Sequence, residues 1–161
     1  MTVVQSIPAQ QSAPGVATDS LILAFDFGTR RIGVAVGESL LRNARPLTTI
    51  AAEDNDSRFA IIAKLVDEWQ PQLLVVGLAL SMDGAEHDMT QRCRRFAHQL
   101  EGRFHLPVTL VDERLSSVEA EVRLATQGQG WKQRKSTIDA EAAATILQDY
   151  FSQQAGSGKK Q

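Results

Sequence analysis

The uninterrupted apolar run Leu73–Leu80, set off by Pro71, is the strongest constraint on how this chain can fold. A strand with one wet face alternates polar and apolar residues, whereas a run that is apolar at every position is buried on both faces, as in the parallel part of an α/β sheet. Such a strand needs helical crossovers, and the flanking sequence supplies them. Before it, Ile61, Ile62, Leu65, Val66 and Trp69 recur at helical spacing, with Asp54, Asp56 or Ser57 as the amino-terminal cap and Pro71 as the stop. After it, Met89, Cys93, Phe96, Ala97, Leu100 and Phe104 mark one face of a second helix that ends before Pro107, and a strand follows at 108–111.

Upstream, Leu21–Phe27 is apolar except at Asp26, and Gly28-Thr29-Arg30-Arg31 turns it into a second strand at 32–36. A third strand is expected at 47–51, after Pro46. Downstream, Ser116 and Glu119 fit a capping box for a helix reaching about residue 125. A polar loop covers 126–135, and a last helix is expected over about 138–151. The order β-β-β-α-β-α-β-α-α predicts an antiparallel hairpin system joined to two parallel strands through helical crossovers.

Size and composition agree with one such domain. The chain has 161 residues, 43% of them hydrophobic and 22% charged. Residues 1–20 are rich in Gln, Ala, Ser and Pro and read as a mobile arm, 21–151 as the domain, and 152–161 as a flexible tail. The single Cys93 allows no disulfide within the chain and points to a cytoplasmic setting. No apolar stretch approaches the roughly 20 residues that cross a bilayer, and 1–20 lacks the basic start and apolar centre of a secretory signal. A net charge of −2 gives no global attraction to a polyanion, so any nucleic-acid site must be local. Basic residues do cluster: Arg30 and Arg31, Arg42 and Arg45, Arg92 with Arg94, Arg95 and Arg103, and Lys132 with Arg134 and Lys135. Each cluster is also explained by solubility alone, the Arg92 group as a solvated helix face.

Three acids stand out by position. Asp26 sits inside an apolar strand, where an ionised carboxylate requires a positive or hydrogen-bonding partner. Gly28 and Gly33 beside it allow another chain or a phosphate to come close. Asp112 and Glu113 close the fifth strand at the carboxyl edge, where open α/β sheets bind ligands, and alternation sends them to opposite faces. Asp139 opens a helix whose Ala140, Ala142, Ala143 and Ala144 permit close packing on the sheet. Taken singly, turn capping, a strand end reaching water and the helix dipole explain each acid. Together they form a trio of hard oxygen donors suited to magnesium or manganese. His87, His98 and His105 lack metal-ligand spacing with Cys93, which argues against zinc. Asp83 and Glu86 read as a turn acid and an early helix acid.

The phrases Phe25-Asp26-Phe27-Gly28-Thr29-Arg30-Arg31-Ile32-Gly33, Val75-Val76-Gly77-Leu78, Met82-Asp83-Gly84, Val111-Asp112-Glu113-Arg114-Leu115-Ser116-Ser117 and Asp139-Ala140-Glu141-Ala142-Ala143-Ala144, in that order over 21–151, resemble the YqgF/RuvX family. Its members are RNase H-like proteins described as Holliday junction resolvases and as pre-16S ribosomal RNA nucleases. The resemblance implies an α/β fold with a five-stranded mixed sheet, three antiparallel plus two parallel strands, flanked by helices. It further implies a phosphodiesterase site in which Asp26, Glu113 and Asp139 hold Mg2+ or Mn2+, as a pair of ions. Gly28, Arg30, Arg114, Ser117 and Lys135 are then candidates to hold substrate phosphates, with Ser116 first a helix cap and Trp131 placed to stack on an unpaired base. The chain departs from the family pattern at Ala79, usually proline, and Ser81, usually asparagine.

Two other readings compete. Asp26-Phe27-Gly28-Thr29 also looks like the phosphate loop of actin-like and sugar-kinase ATPases, but those bind nucleotide between two such domains, and one domain cannot build that cleft. A non-catalytic nucleic-acid- or ribosome-binding module fits the acidic balance, yet three unmetallated carboxylates would repel phosphate. The expected partners are structured RNA or branched DNA, including a ribosomal precursor, and no membrane. Symmetric cleavage of a four-way junction calls for a dimer, and the residues are compatible with a monomer or a homodimer.

Overall fold

The computed structural model describes residues 19–81, 83–114 and 131–160, with backbone alone at 114, 131–137 and 155–160. Eight elements follow in order: β1 (Leu21–Phe27), β2 (Ile32–Glu38), β3 (Asn43–Ile50), α1 (Asn55–Trp69), β4 (Leu73–Leu80), α2 (Asp88–Phe104), β5 (Val108–Arg114) and α3 (Trp131–Lys160). The sheet order is β3-β2-β1-β4-β5. β1 and β3 run antiparallel to β2, while β4 pairs parallel with both β1 and β5, as the doubly apolar sequence of β4 requires. This is the mixed five-stranded sheet that the resemblance implies.

Strand alternation divides the core into two layers. Leu23, Phe25, Val34, Val36, Leu74 and Val76 face α1 and α2, where Phe59, Ile62, Phe96 and Leu100 cover them. Ile22, Ala24, Ala35, Val75 and Val111 face the other way, under Ala143, Ile146, Leu147 and Phe151 of α3. Small residues on this second face bring α3 close. A Cβ on Gly33 would lie 1.8 Å from the carbonyl oxygen of Asp139, so the helix backbone rests on the bare strand.

The helix ends follow local chemistry. Asp54 caps α1 by accepting the Ser57 N–H at 2.8 Å, and Gln70 closes it in the left-handed region, its N–H donating to the Val66 carbonyl before Pro71. His105 closes α2 in the same way, donating to the Glu101 carbonyl.

Two expectations need correction. β3 begins at Asn43 and runs through Pro46, where a strand was expected only from 47. Pro46 is tolerated because β3 is an edge strand and the register shifts beside it, from Val34 opposite Thr48 to Ala35 opposite Pro46. The last helix is longer at both ends than 138–151: its backbone starts at Trp131, inside the segment expected as a loop, and continues to Lys160 through the expected tail. No proline interrupts that stretch, and Gln153, Gln154 and Ala155 are compatible with helix. Residues 1–18 of the arm expected at 1–20, and the helix expected at 116–125, lie outside the described residues.

Candidate active site

Asp26 is the next-to-last residue of β1 and shares the α3 face with Ile22 and Ala24. Across the hairpin it pairs with Gly33. On the other side Phe25 pairs with Val76, and Gly77 pairs in turn with Val111 of β5. Two residues further, Glu113 stands opposite Ala79 and on the same face as Val111. Asp112 is exposed, so alternation separates the two neighbouring acids as expected. Asp26 and Glu113 meet at a cavity of about 200 Å3 at the carboxyl end of β1, β4 and β5. Gly77, Ala79, His87, Cys93 and Ile146 are among its other walls. Gly77 keeps it open: a Cβ there would come 2.4 Å from Ile146 Cδ1 and 3.4 Å from Glu113 Cγ.

Asp139 reaches the same neighbourhood from α3, since its backbone covers Gly33, the residue facing Asp26. Its carboxylate, however, accepts a hydrogen bond from Arg31 Nε at 2.6 Å in a partly buried ion pair, and it is not among the cavity walls. The structure therefore brings two of the three expected acids to one cavity and places the third beside them, in the grip of an arginine. Among the described residues, no three His, Cys, Asp or Glu side chains are grouped to hold a metal.

The remaining expected residues separate by role. The Gly28 carbonyl accepts a 2.7 Å hydrogen bond from Arg58, and a Cβ on Gly28 would lie 2.5 Å from the Arg31 carbonyl oxygen, so this glycine serves the tight β1–β2 turn. Arg30 is exposed on that turn. Arg114 ends β5 opposite Leu80, and Lys135 lies in the early part of α3 rather than in a loop. Ser116 and Ser117 lie outside the described residues, and Trp131 is described only as the first backbone position of α3. Asp83 is a turn acid, accepting the Ala85 N–H, and Glu86 pairs with Arg94.

Cys93 is buried against the cavity. Burial first, and then the nearby Asp26 carboxylate, push its thiol above the ordinary 9.0, while a hydrogen bond with the Ala79 backbone works the other way. Thr90 bridges α2 to β4: its hydroxyl donates to the Ala79 carbonyl and accepts the His87 N–H, which fixes the start of α2 at the cavity rim. Two arginines of structural weight, Arg31 and Arg58, were given no structural role by sequence reasoning, Arg31 being named within a basic cluster. Arg31 is adjacent to Arg30 and indistinguishable from it by pattern, and Arg58 lies in a polar helix turn with no local signal of burial.

A mixed sheet of order β3-β2-β1-β4-β5, with β2 antiparallel to its neighbours and β4 parallel to both of its own, has the topology of the RNase H-like class, and two acids, Asp26 and Glu113, stand at the carboxyl ends of its strands. More specifically, the family model described as "RuvX: Holliday junction resolvase" matches residues 20–153, and the chain belongs to that family. It is 56% identical over 138 residues to a protein of Methylobacillus flagellatus named "Putative pre-16S rRNA nuclease", covering 86% of this chain and 94% of that one. A protein of the same name from Dechloromonas aromatica is 55% identical over 130 residues, covering 81% and 89%. Among solved structures, RuvC from Thermus thermophilus matches 84% of this chain and 96% of its own, with a TM-score of 0.45 and 15% identity. Among the described residues no helix is long and apolar enough to cross a membrane.

Proposed function

We propose that this chain is a metal-dependent endonuclease that hydrolyses phosphodiester bonds in structured nucleic acid, with precursor 16S ribosomal RNA favoured over a four-way DNA junction because relatives at 50–56% identity carry the ribosomal name. The observation that carries the reading is the placement of Asp26 and Glu113 on one cavity at the carboxyl edge of the sheet.

The donor set suits a hard divalent ion. Magnesium is commonly held by one or two carboxylates, with water and substrate phosphate completing its shell, and the absent side chain of Gly77 leaves room between Ile146 and Glu113. Asp26 and Glu113 would hold the ion, and Asp139, ion-paired with Arg31, is the candidate third. When bound, Mg2+ or Mn2+, as a pair of ions, supplies a more acidic water and neutralises charge on the phosphate. Arg30, Arg114 and Lys135, with Ser117 and the Gly28 turn, are proposed to hold flanking phosphates, which positions the strand without reading its sequence. A purely binding role is disfavoured because carboxylates at the cavity repel phosphate unless a cation intervenes.

The test is cleavage by the full chain in Mg2+ or Mn2+ of precursor ribosomal RNA and of a four-way DNA junction, beside Asp26→Asn. Wild type should cut at least one of them, and the variant at least about 100-fold more slowly. Equal cleavage by both proteins, or by neither, overturns the assignment, and neither combined with tight binding favours the non-catalytic module.

A further inference from the structure

A second cavity, of about 170 Å3, opens on the opposite side of the sheet edge, and Phe27 is a wall of both. It is lined by Thr29 and Asn55 and by three guanidinium groups, Arg58, Arg92 and Arg95, against one carboxylate, Glu53. Arg58 is only 3% exposed. Its Nη2 donates to the Gly28 carbonyl at 2.7 Å, its Nε to the Ala52 carbonyl, and its Cζ sits 5.4 Å from the centre of the Phe27 ring. That side chain is immobilised before any ligand arrives, so little ordering entropy remains to be lost on binding. Burial lowers its pKa while Glu53 and Asp54 act against the shift, and an arginine remains protonated throughout.

Arg92 and Arg95 stand three residues apart on α2 and are exposed. Arg92 is paired with Asp88 at 2.8 Å, an exposed contact one helical turn away that contributes little and is readily exchanged. Arg94, between them in sequence, is committed to Glu86 instead. A concave site with a fixed buried guanidinium, two exposed ones, a hydroxyl and an amide matches a tetrahedral oxyanion, because forked N–H donors pair with phosphate oxygens two at a time.

We propose that this cavity holds a backbone phosphate of the nucleic-acid strand next to the bond being cut, so that the strand crosses Phe27 on its way to Asp26 and Glu113. The proposal rests on the nuclease reading for the identity of the polyanion, but its test does not depend on catalysis. Binding of fluorescein-labelled precursor 16S ribosomal RNA, and of a labelled four-way DNA junction, is measured by anisotropy in EDTA between about 50 and 200 mM salt. The full chain is compared with Arg92→Gln/Arg95→Gln and with Arg45→Gln on β3 as a control. The double variant is expected to lose about tenfold or more in affinity at the lowest salt, and the slope of log affinity against log salt to shrink by about one for each phosphate no longer neutralised. In Mg2+, its KM for cleavage should rise by a similar factor. Affinity and slope equal to wild type overturn the proposal, as does failure of wild type to bind either nucleic acid. Arginine-dependent binding by a protein that cleaves neither precursor ribosomal RNA nor the junction in Mg2+ would remove the nuclease reading and leave the phosphate site standing. Inorganic phosphate or AMP bound by wild type and lost in the variant, with binding of both nucleic acids unaltered, would assign the cavity to a free phosphate compound and overturn the strand assignment.

Discussion

Gly33 sits between Asp26, its partner across the hairpin, and the backbone of Asp139 above it. A Cβ at this position would lie 1.8 Å from the Asp139 carbonyl oxygen and 2.3 Å from its carbon, and both are backbone atoms that no rotamer change can move. Gly33→Ala must therefore lift α3 from β2. We expect a loss of at least about 2 kcal/mol in urea unfolding, at the upper end of what overpacking costs, and cleavage reduced further than the folded fraction explains. The cost of a charge inside an apolar strand is what singled out Asp26 in the sequence. The fate of Asp139 was not. Its partner is Arg31, and adjacent arginines on a turn carry no mark of which faces inward; Arg30, the one assigned to phosphate, is exposed, while Arg31 holds the acid.

The helices and strands were legible where period and capping chemistry coincide. α1 is the clearest case, and its cap has a pH signature. The hydrogen bonds from the Ser57 backbone and side chain hold the Asp54 carboxyl below its ordinary 3.8. A carboxyl whose folded pKa is depressed stabilises the protein above its unfolded pKa, and that stabilisation disappears as pH falls through the folded value. Asp54→Ala should thus lower the urea midpoint at pH 7, and its difference from wild type should shrink progressively below about pH 3.8. Measuring both midpoints from about pH 7 to about pH 2.5 checks this. β3 and α3 were less legible for one shared reason. A proline or a polar stretch reads as a stop from local sequence, whereas an edge position with a register shift accommodates Pro46, and nothing within 131–160 requires the backbone to leave the helix.

The three-layer architecture was readable as a whole, since a doubly apolar β4 demands helices on both sides. The meeting of distant residues was not. Arg58 on α1 and the Arg92 and Arg95 pair on α2 share a cavity only because both helices pack on one face of the sheet, an outcome of tertiary packing that no spacing within either helix reveals. Phe96 anchors that packing, with ring centres 4.9 Å from Phe27, 5.8 Å from Phe25 and 5.9 Å from Phe59. Phe96→Ala should cost about 3–5 kcal/mol in chemical denaturation, the range for emptying a buried aromatic site. It also removes the support beneath Phe27, the wall common to both cavities. The covering of the opposite face by α3 has a consequence for biosynthesis. Translation proceeds from the amino terminus, so β1 to β5 emerge while Ile22, Ala24, Ala35, Val75 and Val111 still lack their cover, and Asp139 emerges later than the other two acids. A nascent polypeptide stalled before α3 would present a sticky, uncapped sheet to chaperones, and it could not yet carry a full set of three carboxylates.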